Sequence, residues 1–256
     1  MIFLSPKARG EILQSPLVRR ICTYDELDST MFEARHIIEH HREHADGVLI
    51  VADTQTGGQG RFNRVWHSPP GGLYFTLVFE ERMQTAFTLI VGLAVAEAIE
   101  NIVHIKTTLN WPNDILFKGK KVAGVLSEIV GDFTIVGVGM NTFPSSEFPP
   151  EIEERASTIP ISRSRLDELL AAIVTKLTVN MERFKENGFA VFKTTYEKRL
   201  EMLGQQISLI SGKNEHSGIL KGVDDTGAII LDSDGRELTF ASAETSCHEF
   251  KIEENT

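Results

Sequence analysis

The chain has 256 residues, of which 41% are hydrophobic and 24% are charged, and its formal net charge is −10. Such a composition is typical of a globular protein with one large domain, or with a domain and a smaller companion. The negative charge argues against general nucleic-acid binding, because neutralising phosphates requires a basic face. We see neither a signal peptide nor an apolar run long enough to cross a membrane. The two cysteines, Cys22 and Cys247, are far apart and indicate free thiols in a reducing cytoplasm.

The first elements are a strand, a helix and two strands around a glycine-rich segment. The stretch "ICTYDELDST" reads as a strand that ends at a helix cap, where Asp28, Ser29 and Thr30 can accept from free N–H groups. The helix "MFEARHIIEHHREH" follows, and its four histidines suggest either a metal site or, as we favour, a polar solvent face. "GVLIVADTQT" and "GGLYFTLVFE" read as buried strands.

The middle of the chain continues with a helix and three strands. "TAFTLIVGLAVAEAIENI" is apolar on most sides and predicts a buried helix. From residue 104 to residue 143 the pattern predicts a strand, a turn and two more strands. A break is expected at residues 112–114 and a hairpin turn at residues 118–120.

The last third predicts two helices and a change of architecture. "SRSRLDELLAAIVTKLTVNMERFKENG" has a helical period that stops at Gly188, and "FAVFKTTYEKRLEML" predicts a helix that ends at Gly204. After Gly204, apolar and polar residues alternate between turn signals, which indicates short antiparallel strands in a small barrel. The chain therefore divides into domains 1–204 and 205–256.

The glycine-rich segment "TQTGGQGRFNRVW" concentrates three glycines and two arginines before a tryptophan. Glycine lets a ligand approach the backbone, and arginine offers a fork of donors to a carboxylate or phosphate. The pattern favours a loop that closes over an anion, although a plain surface hairpin is the alternative. It is neither a nucleotide P-loop nor a dinucleotide fingerprint. Because no covalent nucleophile is evident, the expected reaction relies on positioning and electrostatics.

Four motifs together resemble the biotin protein ligases, in the right order and spacing. They are "DST" near the start, the segment "TQTGGQGRFNRVW", the block "NWPNDILFKGKKVAGVLSE" and the strand "VGVGMN". The resemblance implies an α+β fold, with a mixed-sheet biotin/lipoate-ligase-like catalytic domain followed by a small SH3-like barrel. It also implies an enzyme that makes biotinyl-5′-AMP from biotin and Mg-ATP. The biotin then goes to one lysine of a biotin carboxyl carrier protein, for example of acetyl-CoA carboxylase.

The resemblance also implies roles for individual residues. The catalytic residues are Lys121, Arg61 and Asp114. The biotin-binding residues are Ser29, Thr30, Gln55, Gln59, Gly60, Arg61 and Lys121. The residues that bind ATP or the adenylate are Gly58, Arg64, Trp66, Asn113 and Asn141. No direct metal ligand is predicted, since Mg²⁺ enters with ATP as its substrate complex.

Three positions depart from the family pattern, and two other functions stay open. Met31, Gln59 and Asn110 replace the usual asparagine, arginine and lysine, so two cations are lost near the site. The alternatives are a lipoate or octanoate protein ligase and a non-catalytic biotin-binding descendant. Because about 20 residues precede the first matching strand, we expect no DNA-binding domain and no DNA partner. A homodimer is compatible with the resemblance.

Overall fold

A seven-stranded mixed sheet forms the larger part of the protein. The computed structural model describes residues 4–142, 148–242 and 244–246, so Cys247 lies outside the described residues. The strand order is β1-β2-β3-β7-β6-β5-β4, with β1 and β2 parallel and the other neighbours antiparallel. The strands of this sheet are β1 (Arg20–Leu27), β2 (Val48–Gln55), β3 (Leu73–Phe79), β4 (Thr108–Asn110), β5 (Asp114–Phe117), β6 (Lys120–Val130) and β7 (Phe133–Met140).

Helices cover both faces of this sheet, because the central strands are apolar on both sides. The helices are α1 (Pro6–Gln14), α2 (Thr30–His40), α3 (Phe87–Val103), α4 (Pro150–Glu153), α5 (Leu166–Asn187) and α6 (Lys193–Glu197). In β2, Leu49 and Val51 join the large core with α3 and α5, whereas Val48 and Ile50 join the smaller core under α2. The helix α2 covers only part of its face of the sheet. The rest of that face carries the candidate site.

A five-stranded antiparallel sheet follows at the C-terminal end, with the order β11-β10-β9-β8-β12. Its strands are β8 (Gln206–Ser211), β9 (Asn214–Val223), β10 (Ile229–Ser233), β11 (Arg236–Phe240) and β12 (Glu244–Ser246). The Trp111 indole donates to the carbonyl of Gly227 at 2.9 Å and so joins the two sheets. The predicted α+β fold with a small C-terminal barrel is confirmed, while the boundary at residue 204 stays a prediction.

Most predicted elements are present, but some differ. Between residues 104 and 143, where three strands were predicted, the structure has the four strands β4 to β7. The helix of Pro6–Gln14 was not predicted; it is capped by Ser5, whose side chain accepts from the N–H of Ala8 at 3.2 Å. The helix predicted to reach Gly204 is wrong in length, because α6 ends at Glu197. The chain beyond it pairs with β4 instead, through the bridge of Leu200 with Leu109.

Other predicted features are confirmed. The helix predicted to stop at Gly188 ends there, with that glycine as C-cap at φ 68°. The predicted turn has Lys118 and Gly119 at positive φ. Among the described residues, no helix combines the length and the apolar character that a membrane crossing requires.

Candidate active site

Two facing glycines form a flat floor on the α2 side of the sheet. Gly139 of β7 pairs with Gly124 of β6, and the Trp66 ring lies on both. A Cβ at Gly139 would lie 2.4 Å from indole atoms of Trp66, and one at Gly124 would lie 3.3 Å from the ring. The ring therefore packs directly on the backbone of the two strands, which is a reason for glycine at both positions.

Lys121 and Asp114 form an ion pair above this floor. The Lys121 Nζ lies 2.7 Å from Asp114 Oδ1, with the two side chains 33% and 22% exposed. The same ammonium lies 5.2 Å from the centre of the Trp66 ring, within the range of a cation–π contact. Burial raises the pKa of Tyr196, and the negative charge of Asp114 raises it further. The cluster thus places a cation, a carboxylate and an aromatic face together.

A second group of polar residues is buried beside the start of α2. Ser29 is the N-cap of α2, and its side chain accepts from the N–H of Met31 at 3.2 Å. Gln55 Oε1 accepts from the N–H of Thr30 at 2.8 Å and from its hydroxyl at 3.2 Å. The Thr76 hydroxyl donates in turn to Thr30 Oγ1 at 2.8 Å. The cap role of Ser29 fits a plain helix start, whereas Thr30 belongs to a tertiary network.

The same network continues to the backbone of Trp66. Gln55 Nε2 donates to Ser68 Oγ at 2.8 Å, and the Ser68 hydroxyl donates to the Trp66 carbonyl at 3.2 Å. We call the four side chains of Thr76, Thr30, Gln55 and Ser68 the polar chain. It links the end of β2 to the tryptophan that lies under Lys121.

The glycine-rich segment forms a hairpin between these two groups. In this glycine hairpin (residues 57–66), Gly60 N–H donates to the Arg64 carbonyl at 2.8 Å, and Gln59 bridges to Val65. Gly58 is buried, and a Cβ there would lie 2.4 Å from the Trp66 carbonyl oxygen. The hairpin therefore needs glycine at this position for close packing.

Arg61 lies at the tip of the glycine hairpin and points toward the C-terminal sheet. Its guanidinium is 3.5 Å from Asn113 Oδ1 and 3.5 Å from Ser242 Oγ, and it stacks 4.9 Å from the Phe62 ring centre. Asn113 also donates to the Val125 carbonyl at 3.1 Å. The long polar distances leave Arg61 weakly held by these neighbours.

A cavity of about 390 Å³ lies next to Arg61, and its walls do not include Lys121, Asp114 or Trp66. Arg61 and Asn113 line one side, the start of α3 a second, and the turn at Gly227 of the C-terminal sheet a third. Residues of both sheets line this cavity, so its shape depends on the C-terminal sheet as well as on the mixed sheet.

The structure thus groups most of the predicted residues. Lys121, Asp114 and Trp66 meet in one cluster, and Ser29, Thr30, Gln55 and Gly58 lie in or beside the polar chain. Arg61 and Asn113 form a third group. Arg64 and Gln59 are exposed on the hairpin, and Asn141 is buried just after β7, where its N–H donates to the Val122 carbonyl at 2.8 Å.

Four further residues were not predicted: Ser68, Thr76, Gly124 and Gly139. The alternating glycines of "VGVGMN" were a usable signal, because positions two apart on a strand share a face. Nothing in the sequence marks Thr76, which reads as one residue of an apolar strand.

The structure also shows the surroundings of Met31 and Asn110, which depart from the family pattern, and of the histidines in α2. Met31 is buried, and its Sδ would lie 2.8 Å from a Cβ on Gly137, so it packs as an apolar residue. Asn110 faces Asp114 across the β4–β5 pair. His36 and His40 pack ring on ring at 4.3 Å, and no group of three or more metal-binding side chains occurs within the described ranges.

Comparisons with known proteins agree with this geometry. Residues 28–141 match the Biotin/lipoate A/B protein ligase family, and residues 202–246 match the Biotin protein ligase C terminal domain. The fold and the site thus define the class of biotin and lipoate protein ligases. Biotin protein ligase from Aquifex aeolicus, solved with biotin and ATP, is 32% identical, with a TM-score of 0.78. The match covers 89% of this chain and 98% of that one. The chain belongs to the biotin protein ligase family.

Curated relatives support the same family. The Biotin--[acetyl-CoA-carboxylase] ligase of Mycobacterium tuberculosis is 25% identical over 212 residues, covering 78% of each chain. The Bifunctional ligase/repressor BirA of Bacillus subtilis is 29% identical over 224 residues, covering 82% of this chain and 68% of that protein.

Proposed function

We propose that this protein activates biotin with ATP to biotinyl-5′-AMP and then transfers the biotinyl group to a lysine of a biotin carboxyl carrier domain. The observation that carries the proposal is the Lys121–Asp114 pair on Trp66, joined through the Trp66 backbone to the polar chain. This arrangement suits a ligand with a carboxylate at one end and a polar ring at the other. The cation would bind the carboxylate, and the buried hydrogen-bonding groups would bind the ring. The C-terminal match favours biotin over lipoate or octanoate.

In the first step, a carboxylate oxygen of biotin attacks the α-phosphorus of ATP, and the bond to pyrophosphate breaks. Two anions must approach, and unit charges about 4 Å apart repel by roughly 4 kcal/mol at an effective dielectric near 20. We assign Lys121 to offset this repulsion, with Arg61 and Gln59 brought in by the glycine hairpin. Closure of that hairpin also excludes water, which would otherwise hydrolyse the mixed anhydride.

In the second step, the amine of the carrier lysine attacks the acyl carbon, and AMP leaves with the electron pair of the broken C–O bond. The amine must lose a proton, and its ordinary pKa of about 10.4 keeps it protonated at neutral pH. We assign Asp114 to accept or orient that proton, because its carboxylate lies beside Lys121, where the acyl phosphate would be held.

Binding roles follow the same grouping. Ser29, Thr30 and Gln55 would hold the polar ring of biotin, with Gly60 at its carboxylate end. Trp66 would flank the adenine, and the remaining nucleotide contacts would come from Gly58, Arg64, Asn113 and Asn141. Mg²⁺ would arrive with ATP as part of the substrate.

We further propose that the chain works in the cytoplasm without binding DNA and that it divides at residue 204. The net charge of −10 disfavours binding to the phosphate backbone of nucleic acids, and Cys22 is a free thiol. An electrophoretic mobility assay with duplex DNA tests the first point, and separate expression of residues 1–204 tests the division.

Mass spectrometry of a purified carrier domain tests the function directly. The domain is incubated with the protein, Mg-ATP and either biotin, lipoate or octanoate. We expect one added biotinyl group on one lysine. A lipoyl or octanoyl adduct alone would identify the alternative ligase, and absence of any adduct despite biotin binding would identify a non-catalytic descendant.

A further inference from the structure

Ser68 is the member of the polar chain that contacts both halves of the site. On one side, its hydroxyl accepts from Gln55 Nε2 at 2.8 Å, and its carbonyl accepts from the Gln55 N–H at 3.2 Å. On the other side, its hydroxyl donates to the Trp66 carbonyl at 3.2 Å. The residue is 5% exposed, so water does not compete for these bonds.

The Trp66 peptide is consequently held at both of its polar groups. Its N–H donates to the Gly58 carbonyl at 2.9 Å, and its C=O accepts from Ser68. Gly58 packs so closely that a Cβ there would lie 2.7 Å from Ser68 Oγ. Because the indole lies flat on two glycines under Lys121, a small rotation of the Trp66 backbone would move the ring against that ammonium.

The order of donors gives this arrangement a direction. The hydroxyl of Thr76 donates to Thr30, Thr30 donates to Gln55, and Gln55 donates to Ser68. Fixing the Gln55 amide therefore fixes the Ser68 hydroxyl, and with it the Trp66 carbonyl. A ligand that orders Gln55 would act at a distance on the aromatic ring.

We propose that Ser68 is a positioning residue that couples the biotin site to the nucleotide site. The proposal rests on the proposed function, with Gln55 at the biotin ring and Trp66 beside adenine. Biotin restrains the Gln55 amide, Ser68 transmits the restraint to Trp66, and ATP then binds to a tryptophan already in place. Coupling of this kind is reciprocal, so ATP tightens biotin binding by the same factor.

A buried serine with two hydrogen bonds also stabilises the fold, so stability alone cannot test the proposal. Calorimetric titration with a non-hydrolysable ATP analogue, with and without saturating biotin, measures the coupling itself. Ser127 offers a matched control, because its Oγ is buried and makes no hydrogen bond among the described residues.

In the wild type, we expect biotin to tighten binding of the ATP analogue. Ser68→Ala should reduce this coupling factor by about five- to ten-fold, the equivalent of one to two lost hydrogen bonds. The KM for ATP at saturating biotin should rise by a similar factor, with kcat nearly unchanged. Ser68→Thr keeps the hydroxyl and should restore the coupling, Thr76→Val should weaken it in the same direction, and Ser127→Ala should leave it unchanged.

A lower melting temperature of Ser68→Ala with unchanged coupling would overturn the proposal, as would an equal loss in Ser127→Ala. The proposed function is tested separately by pyrophosphate release in the wild type. If biotin and ATP yield pyrophosphate but biotin does not alter affinity for the ATP analogue, only the role of Ser68 falls. If no pyrophosphate is released, the proposed function and the role of Ser68 fall together.

Discussion

The polar chain and the glycine hairpin are neighbours, but they are held in place very differently. In the polar chain, Thr30, Ser68 and Thr76 are 3%, 5% and 0% exposed, and every side chain is hydrogen-bonded to the next. In the glycine hairpin, Phe62 and Val65 are 60% and 73% exposed. One region is ordered by the fold itself, whereas the tip of the other, residues 62–65, is exposed.

This difference separates two tasks. Buried groups that already satisfy one another keep fixed directions and can recognise a ligand without first being ordered. Ordering a flexible backbone costs roughly 1–2 kcal/mol per residue. We therefore propose that a hairpin with exposed apolar side chains and arginines gains its contacts from the ligand. We accordingly expect recognition to depend on the polar chain and closure to depend on the hairpin.

Replacing the fixed cation should have the largest effect. Lys121→Ala removes the charge that faces both Asp114 and Trp66, and adenylate formation should fall by roughly 30- to 1000-fold, or about 2–4 kcal/mol. Pyrophosphate release measures the loss. Lys118→Ala, on the neighbouring turn, is the control and should retain activity. A near wild-type rate in Lys121→Ala would remove Lys121 from the reaction.

Replacing Arg61, the cation on the glycine hairpin, should have a different outcome. Arg61→Ala should slow adenylate formation by about ten- to a hundred-fold, the range of one lost hydrogen bond to a charged group. Arg61→Gly should in addition release biotinyl-5′-AMP, which then labels nearby lysines at random. Peptide mapping of an added bystander protein detects this labelling, with the exposed Arg19→Ala as control. Retention of the adenylate in Arg61→Gly would contradict a closing role for the hairpin.

Gly58 and Gly60 allow a comparison within the hairpin, because Gly58 packs against the polar chain and Gly60 does not. A Cβ on Gly58 would lie 2.4 Å from the Trp66 carbonyl oxygen, whereas one on Gly60 would lie 3.6 Å from its nearest neighbour. Gly58→Ala should therefore raise the KM for ATP by about ten-fold, the effect of a displaced group worth some 1.4 kcal/mol. Gly60→Ala should have a clearly smaller effect. Equal effects would mean that packing on Trp66 is unimportant.

The smallest effect is expected from restoring a cation that the family usually has. Asn110→Lys places an ammonium opposite Asp114 on the β4–β5 pair, at the edge of the cluster. Calorimetry should show ATP binding tightened by about two- to five-fold, in line with cross-strand charge effects below 1 kcal/mol. Weaker binding would indicate that the new lysine takes Asp114 away from Lys121.

The sequence predicts local features of this site better than its long-range contacts. The cap at Ser29, the turn at Lys118 and the helix stop at Gly188 depend on neighbours in the chain, so residue type is sufficient. The role of Thr76 depends on contacts between β3 and α2, which no local pattern encodes. The helix before Gly204 was predicted too long for the same reason. Pairing of the chain with β4 overrides its helical propensity there.

Amide hydrogen exchange tests the contrast between the two regions most directly. It is measured by mass spectrometry on the wild type, alone and with biotin and a non-hydrolysable ATP analogue. We predict fast exchange in residues 57–64 without ligands and marked slowing when both are bound. The amides of β2 and β3, which carry Gln55 and Thr76, should be protected in both conditions. Strong protection of residues 57–64 before any ligand is added would contradict the account, because the hairpin would then be a fixed wall.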